Sequence, residues 1–190
     1  MKPKILALAG SAREESVNKK LIRFAAKDIQ NADVTVIDIR DYPIPLYDGD
    51  LEAAEGLPKN AKILKKMFIE HDGFLIASPE YNSSVSGVLK NLIDWVSRPE
   101  NSDPVYLVAF KGKAAAIMSA SPGNLGGLRG LFHLRSILSN VGTLVLPDLV
   151  TVRNAYEAFD EHGNLKDVKK AEAIHNLAQE LVSTSDKLKN

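Results

Sequence analysis

The sequence contains no cysteine, which removes disulfides, thiolate nucleophiles and cysteine-held iron–sulfur clusters and fits a reducing, cytoplasmic location. Any redox chemistry must be borrowed from a bound group. It also lacks a charge excess: 24 Lys plus Arg balance 24 Asp plus Glu over 190 residues, so nothing global draws it to nucleic acid or to a strongly charged partner. Steering of a charged ligand must therefore be local. No apolar run approaches the roughly 20 residues that cross a bilayer, and no membrane insertion is expected. The opening Met1-Lys2-Pro3-Lys4 followed by Ile5 to Gly10 has the order of a signal peptide. Its apolar run is shorter than an h-region and ends in a loop motif, so it reads as a first buried strand. His71, His133, His162 and His175 show no metal-ligand spacing. Neither the Gly-Lys-Ser/Thr of a P-loop nor a G-x-G-x-x-G occurs, which argues against nucleotide hydrolysis and against a Rossmann dinucleotide site.

What is present is an alternating pattern. Short apolar runs at Ile5 to Ala9, Val34 to Ile39, Gly73 to Ala77, Ala114 to Met118 and Thr143 to Leu146 suit strands buried on both faces. Helical patterns lie between them: one capped by Ser16 with Leu21, Ile22, Phe24, Ala25 and Ile29 inward, then about Pro58 to His71, Ser84 to Arg98, Gly126 to Val141 and Asp167 to Lys189. Five such repeats predict one α/β domain over residues 1–190, a doubly wound five-stranded parallel sheet in the order 2-1-3-4-5 with helices on both faces. The exception is Asp41 to Asn60, where Pro43, Pro45, Gly49, Gly56 and Pro58 describe a long loop, either a lid, a subunit contact or an inert excursion.

Three loops follow strand-like runs and precede helices, and in such a sheet they converge on one crevice. In the first, Ser11, Arg13, Ser16 and Asn18 place two hydroxyls, a guanidinium and an amide at a helix N-terminus, a donor set suited to a phosphate monoester. The plain alternative makes Ser16 a cap and Arg13 a solvated charge. In the second, Pro79 precedes Glu80, Tyr81 and Asn82, polar groups beside an aromatic, as a flat heteroaromatic ring requires. Gly87 allows a close approach or answers a packing need, and Trp95 reads as core or subunit interface. In the third, Ser119 and Ser121 offer hydroxyls, and Gly123, Gly126 and Gly127 allow backbone to approach a ligand.

These motifs carry a resemblance. Gly10-Ser-x-Arg-x-x-Ser-x-Asn18, Pro79-Glu-Tyr-Asn82 with Gly87-Val-Leu-Lys-Asn-x-Ile-Asp-Trp95, and the Gly126-Gly127 loop before His133-Leu-Arg135 resemble the NAD(P)H-dependent FMN reductase family, which includes quinone, azo-dye and chromate reductases. The likeness runs from the first strand to about Val150. It implies a flavodoxin-like fold and non-covalently bound FMN, with Ser11, Arg13, Ser16, Val17 and Asn18 about the phosphate. It places Pro79, Glu80, Tyr81 and Asn82 by the ribityl chain and ring, and Ser119, Ala120, Ser121, Gly123 and Gly126 by the ring edge. NADPH or NADH would be co-substrate, small electron acceptors would take the electrons in a ping-pong cycle, and no catalytic side chain is needed for hydride transfer at the flavin N5. A homodimer or dimer of dimers is implied, and Trp95 and the stripe Leu128, Leu131, Phe132 and Ile137 are the expected contact. Glu14-Glu15 departs from the pattern, since related loops often carry a basic residue there, and two acids disfavour a nearby dianion unless they face solvent. The alternatives are a flavodoxin-type electron carrier and an FMN-binding redox sensor without useful turnover.

Overall fold

The structure is a computed structural model, and it describes residues 1–189. Its parallel sheet takes the order β2-β1-β3-β6-β7, which is the predicted 2-1-3-4-5. The strands are β1 (Lys4–Ala9), β2 (Asp33–Ile37), β3 (Gly73–Ala77), β6 (Ala114–Ala120) and β7 (Leu144–Val152). A separate hairpin is formed by β4 (Glu80–Tyr81) and β5 (Ser84–Val85). Helices α1 (Val17–Lys27) and α6 (Val168–Lys189) cover one face. Helices α3 (Lys59–Glu70), α4 (Gly87–Val96) and α5 (Leu128–Asn140) cover the other.

Alternation along the central strands builds both cores. Ile5, Ala7, Leu75 and Met118 pack against Leu21, Ile22, Ile174 and Leu181, while Leu6, Leu8, Phe74 and Ile117 pack against Leu64, Phe68, Leu92 and Leu134. The three inner strands are buried on both faces as expected, but β2 is a sheet edge and mostly exposed.

Four local expectations change. Strand β7 runs well past Leu146. Pro147 does not end it, because the register with β6 jumps there from Ala115↔Val145 to Ile117↔Leu149, and an irregularity tolerates a residue that cannot donate. Arg135 of α5 satisfies the carbonyls set loose, donating to the oxygens of Val145, Leu146 and Pro147 at 3.3, 2.7 and 3.0 Å. The helix expected from Ser84 starts instead at Gly87, since Ser84 and Val85 pair with the preceding strand around Asn82 and Ser83. Both of those residues have positive φ, 51° and 64°, the conformation of a tight hairpin turn.

The segment Asp41 to Asn60 is not a free loop. It contains α2 (Gly49–Glu55), capped by Asp48, and is bound down onto α4. Trp95 Nε1 and Asn91 Nδ2 both donate to the Pro45 carbonyl, at 2.9 and 2.8 Å, and Asn91 Oδ1 accepts from the Tyr47 N–H at 2.7 Å. The Tyr47 ring meets Trp95 edge-on with centroids 5.0 Å apart, and Leu57 and Ala61 close a small core around the indole. Trp95 is fully buried by its own chain. The expected role at a subunit contact is therefore corrected: the indole, together with Asn91, anchors this segment to α4. Of the α5 stripe, Leu131 is buried and Phe132 is exposed.

Candidate functional site

The site is assembled at the carboxyl ends of β1, β3 and β6, and direct bonds between loops hold it there. Gly10 leaves β1 with its N–H donating to the Ala77 carbonyl at 2.9 Å and its own carbonyl accepting from the Ser86 hydroxyl at 2.5 Å. A Cβ on Gly10 would stand 2.7 Å from Leu89 Cδ2, so only glycine lets the first loop come this close to α4. Across the crevice Asn18 clamps the third loop. Its Oδ1 accepts from the Ala120 N–H and its Nδ2 donates to the Ala120 carbonyl, both at 2.9 Å.

In the first loop Ser11 is buried, and its hydroxyl accepts from the Arg13 N–H at 3.3 Å. The Ser16 hydroxyl accepts from the Asn18 N–H at 3.2 Å and so caps α1. Backbone N–H groups of Ala12, Glu14, Glu15 and Val17 enter no loop or cap hydrogen bond among the described residues. They stand at the positive end of α1, and residues 12 to 15 are exposed. Arg13 adds a guanidinium whose hydrogen bond with Tyr156 holds its pKa above the ordinary arginine value. Uncommitted amides and a fixed positive charge form a cradle for an anion. Glu14 does not intrude on it: the side chain is 81% exposed and lies 3.5 Å from Arg40.

The second loop contributes differently. Pro79 is buried beneath it. Burial opposes ionisation of Glu80, but the Gly130 N–H at 3.1 Å and the Arg129 guanidinium at 2.6 and 2.9 Å outweigh it and hold the carboxyl below its ordinary range. This carboxylate serves the N-terminus of α5, whose own N-cap is Gly127 and supplies no side chain. Tyr81 and Asn82 are exposed on the hairpin. Gly87 opens α4, and a Cβ there would meet nothing within 4 Å, so no packing within the chain requires it.

In the third loop Ser119 is fully buried, and its hydroxyl lacks a partner. A Cβ on Gly127, at φ +90°, would lie 1.9 Å from that oxygen, so the loop lies flat on the end of β6. Gly126 sits as tightly against β7, where a Cβ would be 3.0 Å from Thr151 Cβ. Ser121 is half-buried, and its hydroxyl accepts from the Gly123 N–H at 3.3 Å. The crevice thus combines an anion cradle at one end with exposed backbone, an aromatic and an amide along its sides.

Sequence reasoning missed a fourth loop, Arg153 to Glu157. The Ala155 N–H donates to the Ser121 carbonyl at 3.2 Å, which brings Tyr156 to Arg13. The signal available was the alternating Leu149-Val150-Thr151-Val152, obscured by Pro147.

Known proteins share this architecture. The protein is 38% identical to the NAD(P)H-dependent FMN reductase of Pseudomonas aeruginosa, over 94% of this chain and 92% of that relative. It is 35% identical to the NAD(P)H:quinone oxidoreductase of Solanum tuberosum, over 98% and 94%. The solved structure of FerB, a flavoenzyme NAD(P)H:(acceptor) oxidoreductase of Paracoccus denitrificans, superposes with a TM-score of 0.79 at 28% identity, covering 97% of this chain and 98% of that one. With residues 3–157 matching the model of the NADPH-dependent FMN reductases, the chain belongs to that family.

Proposed function

We propose that this protein is an oxidoreductase that uses non-covalently held FMN to pass electrons from NADPH or NADH to small acceptors: quinones foremost, then azo dyes, chromate-like oxyanions and free flavin. The observation that carries the reading is the anion cradle, with its uncommitted amides and Arg13 at the mouth of a crevice whose walls are fixed by Asn18 and Ser86. FMN would supply the chemistry, taking a hydride from the nicotinamide and passing electrons onward. The chain's residues bind and orient. The amides of Ala12 to Val17 and Arg13 would hold the phosphate, with Ser11 and Ser16 fixing the loop's shape. Tyr81, Asn82 and the backbone of Ala120 to Gly126 would line the ring, with Pro79, Glu80, Asn18 and Ser119 as the scaffold beneath. No side chain need act as a general base.

Nicotinamide and acceptor would occupy the same open face in turn, which gives ping-pong kinetics. A second copy of the chain would cover exposed apolar groups such as Phe132 and Leu46, at 56% and 79% exposure, as a homodimer or dimer of dimers in the cytoplasm. No helix among the described residues is long and apolar enough to cross a membrane. The deciding measurement is an absorbance spectrum of the purified protein before and after anaerobic NADPH, followed by steady-state kinetics with a quinone. A flavin spectrum that bleaches, and parallel double-reciprocal lines, are expected. A colourless protein that takes up no FMN would end the proposal.

A further inference from the structure

The hairpin that carries Tyr81 and Asn82 stands apart from the main sheet. Its two strands, β4 and β5, pair only with each other, and a two-stranded hairpin alone is marginally stable in water. Its position must therefore come from what it lies on, which is the first turns of α5. Gly130 makes the fit close: a Cβ there would stand 3.1 Å from the Ser84 carbonyl oxygen and 3.3 Å from Glu80 Cβ, so the helix meets both strands with no side chain between. Two polar ties flank that contact. On the first strand Glu80 is held by Arg129 and by the Gly130 N–H. On the second, the Ser84 hydroxyl is hydrogen-bonded to His133 Nδ1 at 2.9 Å. Ser84 stands directly opposite Tyr81 in the ladder, so whatever fixes Ser84 fixes the backbone of Tyr81.

A tie on one strand alone lets the hairpin pivot over Gly130, whereas a tie on each strand sets its angle to α5. That angle reaches the tip, because Asn82 and Ser83, both at positive φ, close a turn too tight to absorb it. We infer that His133 is a positioning residue of the flavin site: through Ser84 it sets the angle at which the hairpin offers Tyr81 and Asn82 to the ring. The inference rests on the FMN-dependent function proposed above and adds to it a residue that acts on the ring only through the hairpin. His133 itself is exposed, so removing its side chain empties no core and costs little stability. What the bond requires is a polar atom at the position of Nδ1, which asparagine supplies and alanine does not.

The test is a double-mutant cycle of His133→Ala and Ser84→Ala, with His133→Asn as the conservative variant. Ser139→Ala, exposed near the other end of α5, is the control. FMN affinity is read by fluorescence titration of flavin-free protein, and reduction of bound FMN by NADPH is followed in stopped flow. His133→Ala is expected to weaken FMN binding about two- to tenfold and to slow reduction at saturating NADPH about tenfold. The NADPH concentration at half-maximal rate should not move, nor should the denaturant midpoint of the flavin-free protein. Ser84→Ala should match His133→Ala, and the double variant should be no worse than either, as expected for one shared bond. His133→Asn should recover most of both losses, and the control should show neither. Hydrogen exchange over residues 80–86 of flavin-free protein should quicken in both alanine variants. Unchanged FMN affinity and reduction rate in His133→Ala, losses that add in the double variant, or an asparagine variant no better than alanine overturns the inference. A wild-type protein that takes up no FMN overturns the parent function instead. Hairpin exchange then decides the role of His133, and exchange that the alanine variants leave unchanged refutes it.

Discussion

Residues 11 to 18 leave a guanidinium and several amides facing the crevice, whereas residues 79 to 95, the exposed Tyr81 and Asn82 apart, commit most of theirs inside the chain. Arg13 and the amides around it have only Tyr156 and the Ser11 hydroxyl to answer them. By contrast Glu80 holds α5, Ser86 holds Gly10, and Asn91 and Trp95 hold the Pro45 carbonyl. Both stretches contain polar side chains of the same kinds, serine, asparagine and charged groups, so residue type does not separate ligand contacts from scaffold. What separates them is whether each donor and acceptor already has a partner in the chain. An uncommitted amide at a helix start is available to a ligand at no structural cost. A carboxylate that caps a helix is not, because leaving that helix end unsatisfied costs stability.

Within the committed stretch, Trp95 carries the largest expected effect. Trp95→Ala removes a fully buried indole and one of the two bonds that fasten Pro45, so a loss of roughly 3–5 kcal/mol is expected in denaturant unfolding. FMN bound per folded molecule should stay the same, since the first loop is untouched. A loss below about 1 kcal/mol, far under the usual cost of truncating a buried aromatic, would mean that the indole does not anchor the Asp41 to Asn60 segment.

Glu80 gives the intermediate case. Glu80→Gln keeps an acceptor but discards the charge that Arg129 and the Gly130 N–H answer, at a cost of roughly 1.5–3 kcal/mol for charge-assisted bonds. Its pH dependence has a definite sign. The folded carboxyl titrates below the ordinary 4.5, so its contribution is fully present above that value and is lost as pH falls through the folded pKa. Stability of wild type and variant should therefore differ most near neutrality and converge in acid. A gap that persists undiminished at the lowest pH where the protein still folds would show that the charge is not what matters.

These same residues show how far a sequence can be read. The sheet order and the three converging loops follow from apolar runs and punctuation, because strands buried on both faces leave a strong local signal. The roles of Asn18, Glu80 and Asn91 are not local. Each depends on a partner 102, 50 or 46 positions away, and nothing within one turn of chain says whether an amide faces a ligand or a backbone carbonyl. The length of β7 was hidden for a different reason, since Pro147 looks like a stop until Arg135 is seen to satisfy the carbonyls around it. Tyr156 stayed invisible in turn, because it follows the part of β7 that the proline concealed.

The smallest effect on the fold, and the sharpest test of the comparison, belongs to Arg13. Its side chain is exposed and packs into neither core, so Arg13→Ala should leave the unfolding curve of the flavin-free protein unchanged. The FMN dissociation constant should rise about ten- to a hundredfold, the usual cost of a lost charge-assisted contact. Arg13→Lys separates charge from shape: a point charge retains attraction to the phosphate but not a planar, forked contact, so it should fall between wild type and the alanine variant. Because the contact is electrostatic and near solvent, the difference between wild type and Arg13→Ala should shrink as salt rises. Fluorescence titration of flavin-free protein with FMN at two ionic strengths reads all three. An Arg13→Ala variant that binds FMN as wild type does, at low salt, would place the phosphate on the backbone amides alone and leave Arg13 as a partner of Tyr156.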